Sequence, residues 1–231
     1  SVTAGSGSMR NQLSGSATSP APASAAITRP PVSLDVQERW RLRATQGRPV
    51  AGVELRIVDD EGNKLPHDGE AVGELQARGP WITGSYVGEE HDSEKFQEGW
   101  LRTGDVGRID ARNFVTLTDR AKDVIKSGGE WISSVELENA LIGHPSIYEA
   151  AVIGVPDDKW QERPLALVVV HPGSEVNIDQ LQVFISQKVA KWWIPERWCF
   201  VADIPRTSVG KYDKKAIRAK HASGHYKVQY V

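Results

Sequence analysis

The residues best suited to chemistry stand in three short phrases. Gly99-Trp100-Leu101-Arg102-Thr103-Gly104-Asp105 ends in a carboxylate beside a glycine. A carboxylate can accept hydrogen bonds from two neighbouring hydroxyls, and the glycine lets a sugar lie close to the main chain. Alone, Gly104-Asp105 reads more simply as a plain turn. Asp119 to Ile132 carries a charge cluster (Asp119, Arg120, Lys122, Asp123), the apolar step Val124-Ile125, and the pair Gly128-Gly129. Such a pair accepts positive φ and admits another molecule close to the backbone. The same stretch also reads as a polar connection with a tight turn, and Arg120 as the surface partner of Asp119 or Asp123. Pro205-Arg206-Thr207-Ser208-Val209-Gly210-Lys211 ends in an ammonium, a compact point charge suited to anions. Alone, Gly-Lys is an ordinary exposed loop lysine.

The elements that must hold these phrases follow from periodicity. Leu34 to Arg43 has helical charge spacing. Val53 to Asp59 alternates as a half-buried strand does, Asp60-Glu61-Gly62-Asn63 turns, and Gly73 to Ala77 is a second strand. Val106 to Asp110 and Phe114 to Thr118 flank a hairpin turn at Ala111-Arg112-Asn113. Beyond Asp119 the pattern mixes. Ser133-Ser134-Val135-Glu136 has capping-box spacing and opens a helix with Val135, Leu137, Ala140 and Leu141 on its apolar face, stopped by Gly143 and Pro145. Strands are expected at Ile147 to Val155, Leu165 to Val170 and Arg197 to Val201. Ile178, Leu181, Ile185, Val189 and Trp192 repeat at helical spacing behind Asn177 or Asp179, and Asp213 to Ala219 is a last helix. The fold class expected is α+β. A small β-rich subdomain precedes a carboxy-terminal α+β domain with a central sheet of about three strands flanked by helices. The expected divisions are residues 1–32 (low-complexity and disordered, rich in Ser, Ala, Gly and Pro), 33–118 and 119–231.

Bulk properties exclude several classes. The 231 residues carry a formal net charge of −2, with 25% charged residues, so nothing pulls the chain toward nucleic acid. No apolar run approaches the roughly 20 residues of a membrane span. Cys199 is the single cysteine, which suits a reducing cytoplasm and leaves no intrachain disulfide. His67, His91, His144 and His171 are scattered without metal spacing. Lys211, Lys214, Lys215, Arg218 and Lys220 form a basic face, read here as a solvated helix side.

Taken together and in order, the three phrases resemble the adenylate-forming enzymes: acyl-CoA synthetases, luciferases and peptide-synthetase adenylation domains. The wording from Lys126 to Ser134 is most similar to fatty acyl-CoA ligases, and the resemblance runs from Gly47 to Arg218. It implies a ligase that uses ATP, with Mg2+, to convert a carboxylic acid to an acyl-adenylate and then hands the acyl group to coenzyme A. It places Asp105 on the ribose hydroxyls, Arg120 on the nucleotide, and Lys122 at a hinge. Gly128, Gly129, Glu130 and Trp131 would line the channel for the CoA thiol, although Trp131 also reads as core packing. Lys211 would be the catalytic cation of the first half-reaction, swinging in on its glycine-bearing lead. Family members are much longer, with a Ser/Thr/Gly-rich phosphate loop and acid pocket upstream. The resemblance therefore covers the carboxy-terminal portion of such an enzyme, and this chain by itself is expected not to turn over. A Gly-x-Thr-Glu motif of the family has at most a remnant at Gly15 to Pro20, where the glutamate is missing. Two other readings are a nucleotide- or CoA-binding module without catalysis, and an adenylation domain serving a carrier protein. Oligomeric state is left open.

Overall fold

The computed structural model describes residues 25–26, 30–84 and 95–231. The expected disorder of 1–32 therefore lies outside the described residues, save for Ala25–Ala26 and residues 30–32. Ala25–Ala26 (β1) pairs antiparallel with Arg48–Pro49 (β2). Between them runs α1 (Val36–Arg43), started by Asp35, whose carboxylate accepts the Glu38 amide at 2.8 Å.

The first large sheet is antiparallel: β3 (Glu54–Val58), β4 (Gly73–Arg78), β5 (Phe96–Gln97), β6 (Trp100–Ile109) and β7 (Val115–Arg120). Its order is β3-β4-β6-β5, with β7 also on β6. Period-two alternation sends Leu55, Ile57, Leu75, Ala77, Ile109 and Val115 into one apolar cluster. The alternate residues, Glu54, Arg56, Glu74, Gln76 and Arg78, take the other face. The β6–β7 turn uses Asn113 at φ 64°, a conformation that asparagine tolerates better than most. One expectation is corrected here. Thr103-Gly104-Asp105 is no turn before the hairpin but an interior part of β6. Gln76 pairs with Arg102 and Glu74 with Val106, so Thr103 to Asp105 bulge from the ladder, with Gly104 at φ 71° supplying the left-handed kink.

The second sheet contains β8 (Ile125–Ser127), β9 (Glu130–Ile132), β10 (Ile147–Asp157), β11 (Gln161–Val170), β12 (Arg197–Phe200) and β13 (Gln229–Tyr230). Its order is β13-β12-β11-β8-β9, with β10 also on β11; β11 and β12 are parallel. The three expected strands are β10, β11 and β12 at its heart, and three short ones extend it. Around it lie α2 (Ser134–Ile142), α3 (Ile178–Ile185) and α4 (Lys214–Ala222). Ala150, Val152, Ala166, Val168 and Trp198 face Leu137 and Leu141 of α2 and Leu181 and Ile185 of α3. Ala151, Ile153, Leu165, Leu167 and Cys199 face Ile217 of α4. Both faces are therefore dry, which explains the unbroken apolar runs in β10 and β11.

Ser133 accepts the Glu136 amide, and Asn177 and Gln180 form a full capping box, as spaced. Asp213, read as the first residue of the last helix, is instead its cap and accepts the Ala216 amide. Two details differ from the sequence reading. Val135 is 39% exposed, outside the apolar face. The helical repeat to Trp192 breaks after Ile185. Ser186 caps α3, a 3-10 turn covers Lys191–Trp193, and Ile194 is extended ahead of Pro195. Val189 still packs on the core from outside the helix, but Trp192 is 41% exposed and its neighbour Trp193 packs there instead.

Candidate functional site

Asp105 and Arg120 lie directly opposite in the β6–β7 register. Arg120 Nε is 3.1 Å from Asp105 Oδ1. This corrects the surface-pair alternative: the ion-pair partner of Arg120 is Asp105, a residue only 4% exposed. Burial pushes the Asp105 carboxyl above its ordinary pKa, while the Arg120 guanidinium pulls it down. The pair ends β7 immediately before the Lys122 turn, where the Ala121 amide donates to Gly104 O at 3.0 Å.

Gly128 and Gly129 form the two-residue turn between β8 and β9, a hairpin missed in the sequence reading. Their φ values of 61° and 84° are those of a type I′ turn, which matches strand twist and requires left-handed residues at both places. The two glycines differ in surroundings. A Cβ on Gly129 would meet nothing within 4 Å, whereas one on Gly128 would sit 2.8 Å from Trp160 Cε3. The Gly128 amide donates to Trp160 O at 2.9 Å. The hairpin is anchored by Glu162, which accepts the Lys126 amide, and by Arg163, which donates to Ser127 Oγ at 3.3 Å. Glu130 is exposed. Trp131 is not core packing: it is half-buried, and its indole N–H donates to Asp60 Oδ2 at 3.3 Å. Lys126 pairs with the same Asp60 and lies over the Trp131 ring. Asp60 sits in the β3–β4 turn, so this cluster bridges the two sheets.

Lys211 ends a loop closed on itself. The Thr207 amide donates to Lys211 O at 2.8 Å, and Gly210 stands at φ 82°. Arg206 fastens the loop, donating to Gly210 O and to Glu149 Oε1, both at 2.7 Å. Glu149 lies at the start of β10, whereas Trp160 and the glycine pair lie past its end at Asp157. From Glu149 to Asp157 the strand rises about 26 Å at ~3.3 Å per residue. The lysine loop and the glycine turn thus occupy opposite ends of one strand.

Lys122 is exposed in a turn whose amides at Asp123 and Val124 return to Arg120 O. Arg218 of α4 donates to Lys122 O at 3.0 Å and to Asp123 Oδ1 at 2.9 Å. Lys214 Nζ is 2.8 Å from Glu138 Oε1, with side-chain exposures of 10% and 9%. These contacts correct the solvated reading of the basic face: Lys214 and Arg218 point inward, while Lys215 and Lys220 are exposed. Pairing over such sequence distances leaves no trace in local spacing. Among the described residues no three or more His, Cys, Asp or Glu side chains come together as a metal-ligand set.

Two family descriptions match the chain. Residues 20–87 match "AMP-binding enzyme" and residues 136–211 match "AMP-binding enzyme C-terminal domain". The chain belongs to the AMP-binding, adenylate-forming enzymes. It is 49% identical over 185 residues to a 3-methylmercaptopropionyl-CoA ligase of Ruegeria lacuscaerulensis, covering 80% of this chain and 34% of that protein. It is 48% identical over 192 residues to a long-chain-fatty-acid–CoA ligase of Thermus thermophilus, covering 82% and 35%. Among solved structures, o-succinylbenzoate CoA synthetase of Bacillus subtilis in complex with its acyl-adenylate intermediate superposes with a TM-score of 0.66 at 32% identity, covering 80% of this chain and 38% of that one. The chain thus spans about a third of the length of the curated relatives it matches. No helix among the described residues is long and apolar enough to cross a membrane.

Proposed function

We propose that this chain forms the carboxy-terminal part of an ATP-dependent acid–CoA ligase acting on a fatty-type carboxylic acid. The observation that carries the reading is the placement of the Lys211 loop and the Gly128-Gly129 turn at opposite ends of β10. The two half-reactions have different needs. Joining a carboxylate to the α-phosphate of ATP brings two anions together. The Lys211 ammonium lowers that repulsion and stabilises the charge of the in-line transition state. Transfer to CoA instead needs an approach for a thiol-bearing arm, which the bare backbone of Gly129 offers next to Glu130 and Trp131. Groups so far apart cannot serve one reacting carbon together, so the unit beyond Lys122 turns about that residue between steps. Asp105 holds the ribose hydroxyls and Arg120 the nucleotide, on the side of the turn that stays. Mg2+ would come with the triphosphate.

The test is a split of half-reactions in the ligase that carries this sequence. Lys211→Ala is expected to slow adenylate formation about 100-fold or more, as loss of a transition-state charge partner does. Thioester formation from supplied acyl-adenylate should be spared. Equal loss in both steps would refute the division of labour. The 231-residue chain by itself should release no acid-dependent pyrophosphate. Tight AMP or CoA binding by that chain in calorimetry would favour a binding module instead.

A further inference from the structure

The Lys122 turn is bridged by a buried set of contacts that a loose hinge would not require. Asp119 and Thr118 precede the turn; Ser133 and Ser134 follow it. Asp119 Oδ2 accepts the Ser134 amide and the Ser134 hydroxyl, both at 2.6 Å. Ser133 Oγ donates to Thr118 O at 2.9 Å. Lys214 Nζ donates to Ser134 Oγ at 2.7 Å and pairs with Glu138 at 2.8 Å, while Glu138 Oε1 also accepts the Val152 amide. Asp119 is 8% exposed and Ser134 fully buried.

We propose that Asp119, Ser134 and Lys214 form a latch that holds the carboxy-terminal unit in the pose seen here and must open before that unit turns. The proposal rests on the turning reading of Lys122. Asp119 cannot follow the motion, because its backbone pairs with Val106 in β6. Ser134 must follow it, as the first residue of α2. The Asp119–Ser134 and Thr118–Ser133 bonds therefore break, as do the contacts of Lys126 and Trp131 to Asp60. Lys214, Ser134 and Glu138 all lie beyond the turn and travel together. Opening sends Asp119 to water and leaves Lys214 with its carboxylate, so no buried charge is stranded. Lys214 follows Lys211 by one turn of chain, so the latched pose also fixes the Lys211 loop relative to Asp105 and Arg120. Ser134 and Asp119 act as positioning residues.

Pulsed electron–electron distance measurement on spin labels at Glu61→Cys and Glu175→Cys, both exposed, reads the pose directly in the 231-residue chain. Cys199 does not interfere: it is 1% exposed, and burial pushes its thiol up to about 11. Ser134→Ala removes the hydroxyl link between Asp119 and Lys214. Asp119→Asn is the second variant, nearly the same in shape but without the charge. Each is expected to raise the population of a second distance about tenfold, as loss of a charge-assisted hydrogen bond would. Lys122→Pro added to Ser134→Ala should suppress it. Variants that lower only the melting temperature, with unchanged distances, would reduce the network to a static helix cap and overturn the latch. Two distances in the wild type that neither variant shifts would overturn the latch and leave the turning reading standing. A second distance that persists with Lys122→Pro would keep the latch and move the pivot elsewhere. One distance in every variant would also overturn the latch, while the turning reading is judged separately by the half-reaction split of Lys211→Ala.

Discussion

The two sheets solve the burial problem in different ways. The carboxy-terminal sheet is packed on both sides, by α2 and α3 on one face and α4 on the other. The sheet before it has one apolar face. Its other face is a polar ladder. Arg102 pairs with Glu74 at 2.6 Å, Arg56 donates to Gln76 at 2.8 Å, and Arg78 pairs with Glu54. Trp100 lies between two guanidinium groups, 4.5 Å from Arg56 and 4.4 Å from Arg78. A unit with both faces covered can move as a body without exposing its core. A sheet with one polar face keeps its register through side-chain pairs and presents the carboxylate of Asp105 from a bulge in a strand. The contrast suits a moving part set against a fixed one.

The largest expected effect tests how closed the carboxy-terminal unit is. Lys214→Ala leaves the Glu138 carboxylate buried without its cation, and should destabilise the unit by about 3–5 kcal/mol. Urea denaturation across pH checks the cause. Burial raises the Glu138 pKa, with Lys214 pulling it down, so removing Lys214 raises it further. A carboxyl with a raised folded-state pKa binds its proton more tightly when native. Its penalty is absent below the unfolded-state pKa and grows as pH rises through the window up to the folded value. The defect should be full at neutral pH and shrink toward the ordinary carboxylate range. A pH-independent loss would mean that Lys214 stabilises by packing.

Leu167→Ala and Leu75→Ala then compare the two cores directly. Both side chains are fully buried. Leu167 sits on the central strand of a sheet covered on both faces, where collapse around a cavity is hindered, and should cost about 3–5 kcal/mol. Leu75 lies under a single layer that can relax, and should cost about 2–3 kcal/mol. Equal losses by chemical denaturation would erase the distinction between the sheets. Trp100→Leu probes the polar ladder and should cost about 1–2 kcal/mol, much of it from the two cation–π contacts. A double-mutant cycle with Arg56→Ala isolates that share.

Legibility in the sequence followed the range of the interaction. β3, β10 and β11 were visible because alternation or an unbroken apolar run repeats over many residues. Ser133 and Asn177 were visible because a cap acts over three residues. The β8–β9 hairpin was hidden because its strands are too short for a period to show, although Gly128-Gly129 is itself a turn signal. The bulge in β6 was hidden because Gly104-Asp105 also fits a plain turn. Asp105 and Arg120 stood out one by one, yet their pairing did not, since Asp119 and Asp123 are nearer to Arg120 in sequence than Asp105. Asp60 and Glu138 left no local signal, because their partners Lys126 and Lys214 stand 66 and 76 positions away.

The smallest expected effect on stability bears most on function. Gly129 adopts φ 84° with open space where a Cβ would point. Gly129→Ala should therefore cost only the left-handed strain of one residue, about 1 kcal/mol. Gly128→Ala should cost more, because its methyl also meets the Trp160 ring. If the turn only reverses the chain, both variants should act on the melting temperature alone, in that order. If the open side of Gly129 admits the thiol arm, Gly129→Ala should slow thioester formation in the ligase while leaving adenylate formation near the wild-type rate. An unchanged thioester step would confine the glycine pair to turn geometry and leave the far end of β10 without a chemical task.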